Sequence, residues 1–222
     1  MMTHMARACG ALLVLALMAG CATNRGYMKL DVSSAAPAPT SAATKAQPIV
    51  IDSVQDHRQF QESPSDPSIP SLKKGDNYKL DAEQRKRAIA RKRNSWGRAL
   101  GDILLDGNDT VETLARGLVE QGLRAKGYQV LPAGSAAPAD AIHVQVDVAE
   151  FWAWFTPGMW TVDMEAKVRT QVKLAGGKQF EVYAYGKKSA PSGREDNWRQ
   201  AYERAFAEYE AKFAEGAGGA GL

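Results

Sequence analysis

From Ile142 onward apolar and polar residues alternate. Ile142, Val144, Val146, Val148, Trp152 and Trp154 share one parity, and His143, Gln145 and Asp147 share the other. That period of two is the mark of a strand with one buried face. After a turn at Thr156-Pro157-Gly158, Trp160, Val162, Met164, Ala166, Val168, Val172 and Leu174 continue the even phase. Setting Val146 opposite Val168 brings Asp147 opposite Lys167, so one register yields an apolar pair and an ion pair together. A second turn at Ala175-Gly176-Gly177-Lys178 leads to Phe180, Val182 and Ala184, with Glu181 opposite Lys173. One face is apolar and one polar throughout, which predicts a meander covered on one side only.

Helical spacing supplies the cover. Val111, Leu114, Ala115, Leu118, Val119 and Leu123 form one stripe behind a capping box at Asp109 and Glu112, and Gly127 stands where a C-terminal cap belongs. Trp198, Ala201, Tyr202, Ala205, Phe206, Tyr209 and Phe213 form a wider stripe that ends at Gly216, before a glycine-rich tail over 216–222. Ile49 to Val54 is a β-branched run that reads as the first strand, and Tyr128 to Leu131 as a short second one. Between them lie a loop with Pro64, Pro67 and Pro70 and then a basic segment with a possible cap at Asp81. Ile89, Trp96, Leu100 and Ile103 recur there near helical spacing, although Gly97 and Gly101 oppose a rigid helix. The expected fold is α+β: a two-layer domain over 48–215, ordered β-α-β and then β-meander. Its sheet is mainly antiparallel, with two main helices on one face and a C-terminal amphipathic helix. The 59–108 stretch is an insertion of proline-rich loop and basic helix.

The N-terminus follows a different logic. Ala11 to Met18 is an apolar block behind Arg7, and it closes in Met18-Ala19-Gly20-Cys21. It falls short of the roughly 20 residues that span a bilayer and leads into the polar Ala22-Thr23-Asn24-Arg25. A positive start, a short apolar core and small residues before a cysteine describe a bacterial lipoprotein signal over 1–20, with Cys21 acylated as the first mature residue. Two or more acyl chains hold stably at about 0.8 kcal/mol per buried methylene. The expected site is the periplasmic face of the outer membrane, because Ala22, rather than an acid, follows the cysteine. Ser, Ala and Pro dominate up to residue 47 and predict a disordered tether over 21–47.

Composition narrows the function more than it names it. Cys9 lies in the signal and Cys21 carries lipid, so the mature domain has no disulfide. Losing Arg7 takes the net charge from +3 to +2, a balance that does not point to nucleic acid.

Several stretches together resemble a known family. Beyond the lipoprotein signal these are Ile49-Val50-Ile51-Asp52-Ser53-Val54-Gln55-Asp56-His57-Arg58, Leu123-Arg124-Ala125-Lys126-Gly127-Tyr128-Gln129-Val130 and Ala139-Asp140-Ala141-Ile142-His143-Val144-Gln145-Val146. The chain is similar to YajG-like envelope lipoproteins and, more distantly, to auxiliary lipoproteins of lipid-transporting ABC systems. The resemblance covers about 49–58 and 109–213 in pattern, and 59–108 departs from it. It implies an envelope lipoprotein rather than an enzyme and offers no catalytic residue; the role expected on that basis is a non-catalytic accessory module with an envelope protein partner.

Candidate chemistry is sparse. His57 and His143 lack the convergent partners of a metal site, and no nucleophile elbow, phosphate loop or carboxylate pair occurs, so neither a metal, a cofactor nor an enzyme is expected. His143 falls on the polar face. Asp56 and Arg58 read as a structural ion pair. Arg85, Lys86, Arg87, Arg91, Lys92 and Arg93 form either a solvated helix face or an attraction for anionic lipid headgroups. Trp152, Trp154 and Trp160 follow the core parity, which leaves Phe151 and Phe155 to be exposed at a hairpin tip as a protein or lipid contact. Two roles follow: a module that binds an envelope partner through an exposed patch, or a carrier holding an amphiphile in a groove between sheet and helices.

Overall fold

A single additional residue in the longest strand decides which aromatic rings lie inside this protein. The computed structural model describes residues 25–35, 45, 47–72, 82–94 and 96–222. Its strands are β1 (Gly26–Met28), β2 (Ile49–Asp56), β3 (Ala88–Arg93), β4 (Ala99–Leu105), β5 (Ile142–Pro157), β6 (Val162–Leu174) and β7 (Gln179–Ala190). Its helices are α1 (Ala82–Arg87), α2 (Val111–Ala125) and α3 (Glu195–Ala220). The fold is α+β, with a C-terminal helix and, among the described residues, one open mixed sheet of 7 strands in the order β1-β4-β3-β5-β6-β7. β2 pairs in parallel with the first half of β5, and β3 lies parallel to its second half at Ala90 and Ala153. Among the described residues no helix is long and apolar enough to cross a membrane.

The meander forms as the alternation predicts, in a different register. Val146 faces Val172 and Asp147 faces Gln171, rather than Val168 and Lys167, and Glu181 faces Gln171 rather than Lys173. Slipping a pair by an even number of residues leaves every side chain on its face, so alternation sets the face and not the partner. Lys173 then meets Asp147 diagonally, while Arg169 pairs with Glu150 directly across the ladder at 3.1 Å and reaches Glu181 diagonally at 3.5 Å.

Between Val148 and Glu150 the ladder slips, so that Val148 faces Thr170 and Glu150 faces Arg169. This bulge reverses the parity of the rest of β5. Phe151, expected at the surface, is fully buried against α3, its ring stacked on Tyr202 with centroids 5.2 Å apart. Phe155 is half-buried against the same core. Trp152 turns to the opposite face and joins Leu72, Ala88 and Leu104 in a second apolar cluster, with Phe60 and Trp154 packed on it. Part of the second face is therefore covered as well, by the proline-containing loop. Trp160, expected in the core, is 86% exposed.

The segment expected to be one basic helix is a helical turn and a hairpin. Among its described residues only Ala82–Arg87 are helical, and β3 and β4 pair antiparallel with Arg91 opposite Asp102. Ala88, Ile89 and Ala90 are all buried, and a run buried on both faces carries no period to read. In α2 the apolar stripe is buried as predicted, but the cap is Thr110, whose hydroxyl accepts from the Thr113 amide while Thr113 returns the bond at 2.9 Å. Tyr128–Leu131 contributes one bridge, from Val130 to Ile49, instead of a strand.

Both ends differ from expectation. Gly26–Met28 lies in the presumed tether yet pairs with β4 in parallel, and Met28 and Leu30 are buried core residues. The presumed glycine tail continues α3 to Ala220. A Cβ on Gly216 would stand 2.6 Å from the Phe180 ring, so the glycine permits close packing within the helix. Gly186 does the same for the sheet, since a Cβ there would meet the Ala201 carbonyl oxygen at 2.1 Å.

Candidate functional site: the hairpin end of the sheet

Because β3 and β5 run parallel, the turns that follow them leave the sheet at the same end. The first turn is built on Asn94. Its side-chain oxygen accepts from the amides of Trp96 at 3.0 Å and Arg98 at 2.8 Å, and its amide donates to the Arg98 carbonyl at 2.9 Å. This arrangement presents Trp96 to solvent, 91% exposed. The second turn closes when the Gly158 amide donates to the Thr161 carbonyl at 2.8 Å, and it presents Met159 and Trp160. Three of the five large apolar side chains that are exposed among the described residues thus gather at one end. Scattered exposed apolar residues need no explanation, but a group of them marks a contact surface.

Between the two turns lies a cleft of about 620 Å³, walled by the 63–67 stretch, the β3–β4 turn and the end of β5. Arg91, Arg93 and Arg98 line it with Asn94, Phe155 and Pro157, and among the described residues no acid lines it. Arg91 is over nine-tenths buried, with its Nε 3.8 Å from Asp102 Oδ1 and without a hydrogen-bond partner among the described residues. Burial pushes its pKa down, the Asp102 charge opposes that, and neighbouring Arg93 adds to the fall. Burial also lowers Arg93, which donates to the Gly97 carbonyl at 3.0 Å and to the Ser71 hydroxyl at 3.3 Å. Guanidinium groups stay protonated despite such shifts, so the cleft holds positive charge that its own lining does not balance. Asp102 is shared, lying 3.7 Å from Arg25.

The cleft's outer wall is held from behind. Trp152 Nε1 donates to the Pro67 carbonyl at 3.2 Å, the Phe60 ring stands edge-on to Trp152, and the Gln61 amide donates to Pro70 at 2.9 Å. Arg58, whose side chain is wholly buried, grips Asp56 and three carbonyls beneath the loop. The Asp56–Arg58 pair is therefore structural, as expected, but it is inside the protein rather than exposed.

The basic run does not form one face. Arg91 and Arg93 point to the cleft side of the sheet and Lys92 to the helix side, where it approaches Gly26. Lys86 pairs with Glu83 at 3.1 Å, Arg87 donates to the Leu105 carbonyl at 2.6 Å, and the Arg85 guanidinium lies over Phe60. Phe155 lines the cleft and Phe151 is inside the core. Cys21 and Asp81 lie outside the described residues. Sequence reasoning missed Trp96, Met159 and Arg98. The signal for the first and last was Asn94 with Gly97, turn residues around a tryptophan and an arginine. His143, expected to be simply solvated, is half-exposed with its Nδ1 2.8 Å from Asp52.

No protein-family model matches the sequence, and no curated protein matches it either. Similar solved structures include an uncharacterised protein, at 10% identity and a TM-score of 0.44 over 87% of this chain and 97% of that one. A second is XCC0632 of Xanthomonas campestris, assigned to family DUF330, at 8% identity and a TM-score of 0.37 over 86% and 91%. A third is a neuraminyllactose-binding hemagglutinin homolog from Helicobacter pylori, at 11% identity and 0.37 over 85% and 91%.

Proposed function

We propose that this protein is a lipoprotein of the bacterial cell envelope, tied to the outer membrane through Cys21, and that it works as a non-catalytic binding module. One observation carries the binding-module reading: the exposed Trp96, Met159 and Trp160 and the arginine cleft converge at one end of the sheet. An amphiphile carrier, the other role considered, needs a groove between sheet and helices. That space is filled by Phe151, Tyr202, Phe206, Tyr209 and Phe213, all fully buried.

Two measurements test the proposal. Cys21→Ser should release the protein from the membrane fraction and change its gel mobility, and unchanged partitioning would end the lipid-anchor reading. A photocrosslinking residue placed at position 96 or 160 in living cells should give discrete adducts, while one at exposed Ser135 gives none. The double variant Trp96→Ala/Trp160→Ala should melt within about 2 °C of the parent, since exposed changes cost within roughly 0.5 kcal/mol. A large fall in Tm would show that these rings support the fold rather than a partner.

A further inference from the structure

The position of Cys21 relative to the fold carries the reading further. Gly26 pairs with Ile103, Ile103 with Ala90, and Ala90 with Ala153, so these four residues stand at one level across the sheet. β1 runs parallel to β4, which leaves the first hairpin turn, so the start of β1 points toward the hairpin end. Cys21 precedes Gly26 by five residues and cannot lie more than roughly 17 Å from it. From that level Pro157, at the hairpin end, is roughly 13 Å away, whereas Ile142, at the opposite end of β5, is roughly 36 Å away. A lipid on Cys21 can thus reach the hairpin end, whereas the opposite end lies beyond the span of those five residues.

The hairpin end has the chemistry of a headgroup layer. Trp96 and Trp160 are the side chains that favour the boundary between acyl chains and water, and Met159 beside Trp160 adds apolar surface. Arg91, Arg93 and Arg98 face a cleft that no acid lines among the described residues, and the arginine fork matches phosphate oxygens. Acids near that end among the described residues have partners or face elsewhere: Asp66, in the cleft's outer wall, accepts from the Ser68 amide at 2.8 Å. Asp163 binds Lys187 and the Ser189 hydroxyl, each at 2.5 Å, and Glu165 accepts from Thr156 and Tyr185. Asp196 pairs with Arg199 on α3, and Glu195 opens that helix on the other face of the sheet.

We infer that the hairpin end is held against the membrane that carries Cys21, with the arginine cleft receiving the phosphate of an anionic phospholipid. This rests on the lipid-anchor reading and assigns lipid as the target of the binding surface. Residues 22–222 contain every described element and allow the idea to be tested without the acyl chains. That chain should float at low salt with vesicles of phosphatidylethanolamine and phosphatidylglycerol, at least tenfold more strongly than with phosphatidylcholine alone. Arg98→Glu removes two charge units from an exposed site and should weaken flotation about 25-fold, at about fivefold per unit. Trp96→Ala/Trp160→Ala should weaken it at least fivefold without a change in Tm.

Equal flotation with neutral vesicles, or indifference to both variants, would overturn the inference. So would broadening of the phosphorus signal of inorganic phosphate by the same chain, abolished by Arg98→Glu, in a protein that ignores vesicles; that result would assign the cleft to a free anion. Photocrosslinks in cells separate the two levels of the argument. Adducts to lipid from position 96 support the inference, adducts to a protein overturn it and leave the binding module standing, and no adducts at all remove both.

Discussion

Phe151→Ala should cost about 3–5 kcal/mol and lower the melting temperature by roughly 10 °C. The ring is fully buried, stacked on Tyr202 and inclined to Phe206 at 5.9 Å between centroids. Removing it opens a void at the centre of the contact between β5 and α3. Tyr202 cannot relax freely into that void, because its hydroxyl donates to the Ile89 carbonyl at 2.7 Å and holds the ring in place. A void that cannot collapse carries the upper part of the penalty. Phe155→Ala, at a half-buried ring that also lines the cleft, should cost less than half as much. Thermal melts followed by far-ultraviolet circular dichroism compare the two directly. A Phe151→Ala protein melting within 2 °C of the parent would mean that β5 keeps its even phase throughout and carries no bulge.

That contrast marks how far the sequence could be read. The two long helical stripes and the three meander strands were legible because each has many residues of one period, and burial of one face enforces that period. The bulge was not legible, since one additional residue near Ala149 leaves no compositional trace. Its effect spreads to every later ring in the strand. The hairpin of β3 and β4 was misread for a related reason: Ala88, Ile89 and Ala90 are buried between two apolar layers, and helical spacing fitted the remaining apolar residues by coincidence. β1 is three residues long and was hidden inside a polar stretch, where only its position beside β4 gives it meaning. The site suffered most. Its arginines come from β3 and from the turn after it, and its apolar side chains from turns some sixty residues apart, so they form no linear motif. The basic run held the right residues, Arg91 and Arg93, for the wrong geometry.

Arg58→Ala should be comparably damaging, at about 3–5 kcal/mol, because it breaks a buried charge pair from one side. All five of the guanidinium's N–H groups are used. Nε and Nη2 donate to the two oxygens of Asp56 at 2.8 and 2.7 Å, Nη1 to the carbonyls of Ala88 and Phe151 at 2.6 and 3.0 Å, and Nη2 also to the carbonyl of Arg85 at 2.6 Å. One side chain thereby ties the end of β2 to α1, β3 and β5, and it underlies the loop that walls the cleft. Its loss strands the Asp56 carboxylate and three carbonyls where water enters poorly. Arg58→Lys keeps the charge but offers three donors from a single nitrogen, so it should recover less than half of the loss. Because the loop hangs from this residue, amide hydrogen exchange over 59–72 should rise in Arg58→Lys even at temperatures where the helices remain protected. Uniform exchange across the whole chain in that variant would mean that the loop and the sheet unfold together, and Arg58 would then stabilise the domain without any separate hold on the cleft wall.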